Sequence, residues 1–170
     1  YSKNGFVNNF KFYYKNFNKI SKKDPKGKNS PEINFANIYE FASSWPLEKN
    51  GIRWNDRIIP KISYRINPNG MDDMSETSRR ILMSNVFNID RLSANDSFEE
   101  GQSLTLGTSY IKNSNISDMA FDYSLATVLR PKKSKRIPTS STINEKKSNI
   151  FGQFKNTLSD QLSLNYNFSI

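Results

Sequence analysis

The sequence predicts an all-β fold, an antiparallel meander that forms part of a large transmembrane β-barrel. From Gln161 to Ile170 every apolar side chain has an even number and every polar one an odd number. This is the two-residue period of a β-strand with one apolar face. The pattern recurs about seven times along the chain. The connections between the repeats alternate between long and short, as they do in outer-membrane barrels.

The alternating segments define the predicted strands. We expect strands at residues 5–18, 31–46, 57–67, 102–112, 119–130, 148–157 and 160–170. Each is long enough to cross a bilayer, since a tilted membrane strand needs about 9 to 11 residues. Apolar residues such as Phe35, Tyr64 and Leu125 should share one face, with polar and charged residues on the other.

The connections predict which end of the sheet faces which side of the membrane. Long loops are expected near residues 19–30, 68–101 and 131–147, and short turns near Asn50-Gly51, Asn113 to Ser117 and Leu158-Ser159. Outer-membrane barrels place long loops outside and short turns in the periplasm. We therefore predict one partial outer-membrane barrel domain over residues 1–170. Several aromatic residues are either interfacial girdle residues or ordinary strand formers: Trp45, Trp54, Tyr64, Tyr110 and Tyr166.

Composition narrows the possible classes. Only 35% of the 170 residues are hydrophobic, and no run approaches the roughly 20 apolar residues of a membrane helix, so a spanning structure must be a barrel.

The net charge is +9, and basic residues cluster in or beside two predicted outer loops: Lys19, Lys22, Lys23, Lys26 and Lys28, then Arg130, Lys132, Lys133, Lys135 and Arg136. These are either solvated loops or contacts to glycolipid phosphates. Nucleic acid is not expected, because the aromatics lie in the strands and do not interleave with the basic runs.

The residue inventory predicts no enzyme. The chain has no Cys and no His, which removes the thiol nucleophile, the usual zinc ligands and the commonest general base. The acidic pairs Asp72-Asp73 and Glu99-Glu100 lack the ligand spacing of a calcium loop, so solvated loop residues are the better interpretation. We expect no cofactor and no metal site.

Three blocks of the sequence resemble the C-terminal barrel of the LptD family of outer-membrane proteins. The first is Phe41–Glu48 with Ile59–Asn69, where a strand ending in aromatic-Pro-hydrophobic precedes one that starts with Pro and closes in Pro-Asn. The second is Asn85–Gly101, leading into the strand Ser103–Tyr110. The third is the hairpin Ser148–Phe168.

Within the second block, the family-signature loop maps onto Asp90, Arg91, Glu99 and Gly101. The chain departs from the family pattern at Ser97, where the family favours Arg, and at Gln102, where a second Gly is common. No role is carried over to those two positions.

The resemblance implies lipopolysaccharide (LPS) transport and assembly in the cell outer membrane, where a large barrel delivers LPS to the outer leaflet. It also implies an LptE-like lipoprotein inside the barrel and periplasmic LPS-bridge proteins of the LptA type, with outer-membrane lipid around the wall. An odd number of strands cannot close such a barrel, so we expect an internal fragment. Six inward-facing residues become candidates for the lumen lining: Glu40, Lys61, Ser63, Arg65, Asp122 and Arg130.

Two alternatives stay open from the sequence. Another outer-membrane barrel, such as a porin or a nutrient receptor, would keep the strands but should lack the three blocks in this order. A soluble β-sandwich that binds anionic ligands would keep the alternation but should be extractable without detergent.

Overall fold

The computed structural model describes residues 5–19, 32–94 and 97–170. These residues form a single antiparallel sheet, and a short 3-10 turn lies at Thr139–Ser141. The strands are β1 (Val7–Lys19), β2 (Glu32–Ser44), β3 (Leu47–Asn50), β4 (Trp54–Asn67), β5 (Gly101–Ser114), β6 (Ala120–Leu129), β7 (Phe151–Ser159) and β8 (Leu162–Ser169). The sheet order is β1-β2-β4-β5-β6-β7-β8, with β3 paired to β4. The predicted all-β antiparallel meander is confirmed, and its open sheet is what part of a barrel wall requires.

The sheet of the described residues has eight strands, against about seven expected. The predicted strand 31–46 ends at Ser44, and the additional strand β3 lies in the connection expected between residues 46 and 57. Ser44 pairs with Lys61 and Leu47 pairs with Ile58, so β2 and β3 follow β4 in one register. Between them only the Trp45 N–H, which donates to the Pro60 carbonyl at 3.0 Å, continues the ladder. Proline has no N–H to donate, which accounts for the break.

The two faces of the sheet differ in chemistry as the alternation predicts. We call the face covered by loops the inward face and the opposite one the outward face. Paired outward side chains are apolar and largely exposed, such as Phe12 beside Tyr39 and Ile62 beside Leu106. Inward side chains are mostly polar or small, such as Ser63, Ser109 and Ser124. A row of exposed apolar side chains on a strand surface is the pattern of a lipid-facing wall.

The long connections lie at one end of the sheet and the short turns at the other. Residues 68–100 join β4 to β5 and residues 130–150 join β6 to β7, whereas residues 51–53, 115–119 and 160–161 make the turns. The predicted loop 19–30 falls, beyond Lys19, outside the described residues. Of the predicted girdle aromatics, Trp45, Trp54 and Tyr110 lie toward the turn end, Tyr64 toward the loop end and Tyr166 within β8.

The 130–150 loop is longer than expected, because the predicted strand 148–157 begins at Phe151. The segment before it still pairs loosely with β6: Leu129 and Lys147 form an isolated bridge, and the Ser148 N–H donates to the Val128 carbonyl at 2.9 Å.

The two long loops fold back over the inward face and make a hydrophobic core with it. Loop residues such as Ile81, Ile137 and Ile143 pack on Val128 and Phe151 of the sheet, each at most 2% exposed. A second small cluster joins Ala36 and Ile38 of β2 to Phe98. The loops are therefore packed parts of the fold. No helix in the described ranges is long and apolar enough to cross a membrane.

If the outward face contacts lipid, a charge at its centre should be costly. Leu106 lies on the outward face in the middle of β5 and is 37% exposed. We expect Leu106→Arg to lower the unfolding free energy of the full-length natural protein in lipid vesicles by about 2 to 4 kcal/mol.

The matched control is Ile116→Arg in the exposed turn, where the same charge should cost about 0 to 1 kcal/mol. Denaturant titration followed by tryptophan fluorescence measures both variants. Equal costs at the two positions would contradict a lipid-facing wall.

Candidate functional site at the inward face

A single carboxylate, Glu99, is the centre of the polar network under the loops. It lies just before β5 in the 68–100 loop and is 1% exposed. Arg91, from the same loop, binds it in a bidentate manner: its Nε and one terminal nitrogen donate to the two carboxylate oxygens at 2.5 Å each. Bidentate arginine–carboxylate pairs are among the strongest polar contacts in proteins, because both hydrogen bonds are charge-assisted.

Two further arginines reach the same carboxylate from the sheet. Arg130, directly after β6, pairs with Glu99 through one terminal nitrogen and donates to the Glu100 carbonyl at 2.5 Å with the other. Arg65 of β4 lies 3.4 Å from a Glu99 oxygen and donates to the backbone carbonyls of Ile89 and Glu99. Three buried guanidinium groups thus surround one carboxylate.

Neutral groups complete the network. Arg91 also donates to the hydroxyls of Ser103 and Thr105, at 2.8 and 3.1 Å, and Asn67 donates to the Glu99 carbonyl at 3.1 Å. These side chains come from the ends of β4 and β5 that meet the loop. Because unpaired buried charges are costly, these neutral partners lower the cost of burying the cluster, in which Arg65 Nη1 and Arg130 Nε have no hydrogen-bond partner among the described groups.

Gly101 fits the chain around this cluster. Its φ of +77° lies in the left-handed region that favours glycine, and a Cβ built there would lie 3.2 Å from an Arg130 terminal nitrogen. Glycine at this position therefore lets the backbone turn from Glu100 into β5 beside the Arg130 guanidinium.

The charges determine the protonation of Glu99. Burial alone would raise its pKa, but the positive charges of Arg91, Arg65 and Arg130, together with the hydrogen bonds from Arg91, lower the pKa from 4.5 to about 2. The carboxylate is ionised at neutral pH, so the cluster acts as an electrostatic anchor and does not exchange protons near neutrality.

A second polar contact ties the two long loops to each other. Glu100 accepts a hydrogen bond from the Ser134 hydroxyl at 2.8 Å and lies 3.4 Å from Arg136, which also donates to the Met71 carbonyl. Backbone contacts extend the link, with the Met74 N–H donating to the Arg136 carbonyl at 2.8 Å. Both loops are thereby fixed to each other as well as to the sheet.

A separate inward groove of about 380 Å³ lies between β1, β2, β4 and the 68–100 loop. Lys11 and Glu40 form an ion pair of 2.8 Å on one wall. Lys61 lies on another, with its amine 5.9 Å from the centre of the Phe87 ring. This groove carries both charged and aromatic surface, which suits a sugar or phosphate group better than an acyl chain.

The structure divides the predicted lumen-lining residues among three places. Arg65 and Arg130 are buried in the Glu99 cluster, while Glu40, Lys61 and Ser63 border the inward groove. Asp122 lies toward the turn end, where it accepts a hydrogen bond from the Ser124 hydroxyl at 3.0 Å. All six face inward, and their role as a lumen lining stays a prediction.

The signature-loop residues also separate. Arg91, Glu99 and Gly101 belong to the buried cluster, whereas the Asp90 carboxylate accepts the Ser93 N–H at 3.0 Å.

Two residues of the inward groove, Lys11 and Phe87, were not predicted from the sequence. Alternation places Lys11 on the inward face, but nothing in the sequence pairs Phe87 with Gly107, where a Cβ would lie 2.8 Å from the ring.

Comparison with known proteins decides the family. The family model described as LptD, LPS transport system D, matches residues 9–169. The chain belongs to the LptD family. No curated protein and no solved structure matches the chain.

The sequence left three interpretations open: an LptD-family barrel, another outer-membrane barrel and a soluble β-sandwich. Membership of the LptD family selects the first. The family is one of LPS transport and assembly in the outer membrane and is not an enzyme family. A β-sandwich would need two packed sheets, whereas all strands of the described residues join one sheet. The family match over residues 9–169 confirms the LptD resemblance that the three sequence blocks indicated.

Removing the Glu99 charge should loosen the loops. In Glu99→Gln three buried arginines lose their counter-ion, and breaking a buried pair in this way costs about 3 to 5 kcal/mol. We expect faster amide hydrogen exchange in residues 85–94 and 97–100 of the full-length natural protein, with β5 and β6 unchanged. Glu100→Gln is the control, because its partner Arg136 is exposed and an exposed pair contributes about 0 to 1 kcal/mol. Equal exchange in the two variants would contradict a central role for Glu99.

The same cluster should make the loops sensitive to acid. A carboxylate whose pKa is lower in the folded state stabilises the fold above its unfolded pKa, and that contribution is lost as the pH falls from about 4.5 towards about 2. The full loss is roughly 3 kcal/mol. Subtracting the pH profile of Glu99→Gln from that of the unaltered protein isolates this contribution from those of other carboxylates.

Proposed function

We propose that the protein is part of the outer-membrane translocon that delivers LPS to the outer leaflet, and that it resides in the cell outer membrane. The observation that carries this proposal is the match to the LPS transport family over residues 9–169. The loop end of the sheet would then face the cell exterior, and the turn end the periplasm.

The two faces of the sheet support this function physically. LPS has a phosphorylated, sugar-rich head and several acyl chains, so its movement needs a polar route for the head and an apolar environment for the chains. The polar inward face and apolar outward face supply both. The step breaks no covalent bond, so no catalytic residue or cofactor is required.

Family membership supports the proposed partners. An LptE-like lipoprotein would lie inside the barrel, and an LptA-like periplasmic bridge would bring LPS to the turn end. The loops cover much of the inward face near the loop end, whereas the inward face near the turns is more exposed, as at Asn113 and Lys155. A head group arriving from the periplasm would meet that exposed part first.

The inward residues are proposed to contact the passing head group to different extents. Lys61, Glu40 and Ser63 border an open groove, whereas Arg65 and Arg130 are held by Glu99 under the loops. We therefore assign head-group contact to the groove and loop anchoring to the arginines. Asp122 lies nearer the turn end and would belong to the entry side.

Cell fractionation tests the location and depletion tests the function. We expect the full-length natural protein to stay in the outer membrane after a carbonate wash and to run as a heat-modifiable band. Its depletion should then reduce LPS at the cell surface, measured by the accessibility of LPS to an external modifying enzyme. Release into the wash would overturn the outer-membrane proposal, and retention with normal surface LPS would overturn the transport proposal.

Site-specific photo-crosslinking tests the groove. A photo-reactive amino acid at Lys61 should form adducts with LPS in living cells, because this position borders the inward groove. The matched control is Lys49 on β3, an exposed lysine outside the groove. Adducts at both positions, or at neither, would remove the groove from the proposed route.

A further inference from the structure

A second cleft, of about 650 Å³, lies at the rim of the sheet where the long loops begin. Its walls come from the end of β4 and the residues that follow it, from Glu100 to Gln102, and from residues 130–134. The cleft is separate from the inward groove, which lies further down β2 and β4. We call it the rim cleft.

The rim cleft is positively charged. Arg130, Lys132 and Lys133 line it together with one acid, Glu100. That acid is already matched, since its two oxygens face the Ser134 hydroxyl and Arg136. Lys133 pairs with Glu145 at 2.5 Å, whereas Lys132 is exposed and has no ion-pair partner among the residues that the structure describes.

Arg130 adds buried positive charge to this wall. The residue is 7% exposed, and its Nε makes no hydrogen bond to any described group although both terminal nitrogens are engaged. With Arg65, Arg91 and Glu99 directly behind, the wall carries more positive than negative charge. A buried positive field of this kind attracts an anion with several acceptor oxygens.

The rim cleft continues into the apolar outward face. Ile66 and Gln102, which line it, form a cross-strand pair on that face. The next outward pair down the same two strands is Tyr64 and Leu104. An amphiphile could therefore place its head in the cleft and its chains against the strands below.

We propose that the rim cleft binds a phosphate group of a glycolipid of the outer leaflet, whose acyl chains lie along the Tyr64–Leu104 strip. This rests on the proposed function, which places the loop end at the outer surface. Phosphate suits the site because its acceptor oxygens can bind the lysine amines while its charge is attracted by the buried Arg130. A lipid-borne phosphate suits it better than a soluble one because the apolar strip begins at the cleft.

The test measures lipid binding to the full-length natural protein in nonionic detergent by native mass spectrometry. The probes are bisphosphorylated lipid A, the same glycolipid without phosphates, and inorganic phosphate. We expect Lys132→Ala with Lys133→Ala to weaken lipid A binding by roughly 30-fold, since each lysine near an anionic lipid surface contributes about 1 kcal/mol. Lys132→Arg should retain the binding.

The matched control is Lys135→Ala with Lys147→Ala, which removes the same charge from the same loop outside the cleft. Tight lipid A binding in this control, and weak binding of the dephosphorylated glycolipid to the unaltered protein, would support the site. Equal losses in both double variants, or no loss in either, would overturn it. If inorganic phosphate bound as tightly as lipid A, the proposal that the cleft binds a lipid-borne phosphate would be overturned.

Failure of this proposal can be told apart from failure of the proposed function. A protein that stays in the carbonate-washed outer membrane but binds lipid A independently of Lys132 and Lys133 contradicts only the cleft. A protein that is released by carbonate contradicts the membrane location, whatever it binds. Heat-modifiable migration of each variant shows that it has folded.

Discussion

The arrangement of the whole inward face depends on the contact between Glu99 and three arginines. Arg91 belongs to the 68–100 loop, while Arg65 and Arg130 extend from the sheet, so one carboxylate attaches the loop to β4 and to the end of β6. Apolar side chains of both long loops pack on Val128 and Phe151 beside this attachment. Charge pairing and hydrophobic burial therefore act on the same loops, the first by fixing their position relative to the strands and the second by removing apolar surface from water.

The inward face has two parts, one in which the polar residues are buried and one in which they are open. Near the loop end the polar side chains of the inward face bind one another under the long loops, and this part of the face is packed. Along β1, β2 and β4 the groove leaves Lys11 and Lys61 partly accessible. Transport through a wall of this kind would use the groove and the turn end, and the rim cleft would serve a lipid already in the leaflet.

The strands could be predicted because each uses one local rule, the alternation of apolar and polar side chains, which needs no information from distant residues. The short strand β3 after Trp45-Pro46 was missed, since only its pairing with β4 defines it. The cluster could be predicted only in its parts. Arg91 and Glu99 came from the family resemblance and Arg65 and Arg130 from alternation, but their meeting depends on how the loop folds over the sheet. Local periodicity contains nothing about that.

The residues that meet at Glu99 come from near and distant parts of the chain, which bears on the order in which the strands and loops form. Arg91 and Glu99 are near neighbours in the chain and can pair while the loop is still solvated. Arg65 and Arg130 reach the same carboxylate only once β4, β5 and β6 lie side by side, because their spacing is set by the sheet. Desolvating the carboxylate earlier would leave it with too few counter-charges. We therefore expect the wall to form before its loops close, with folding completed at the rim.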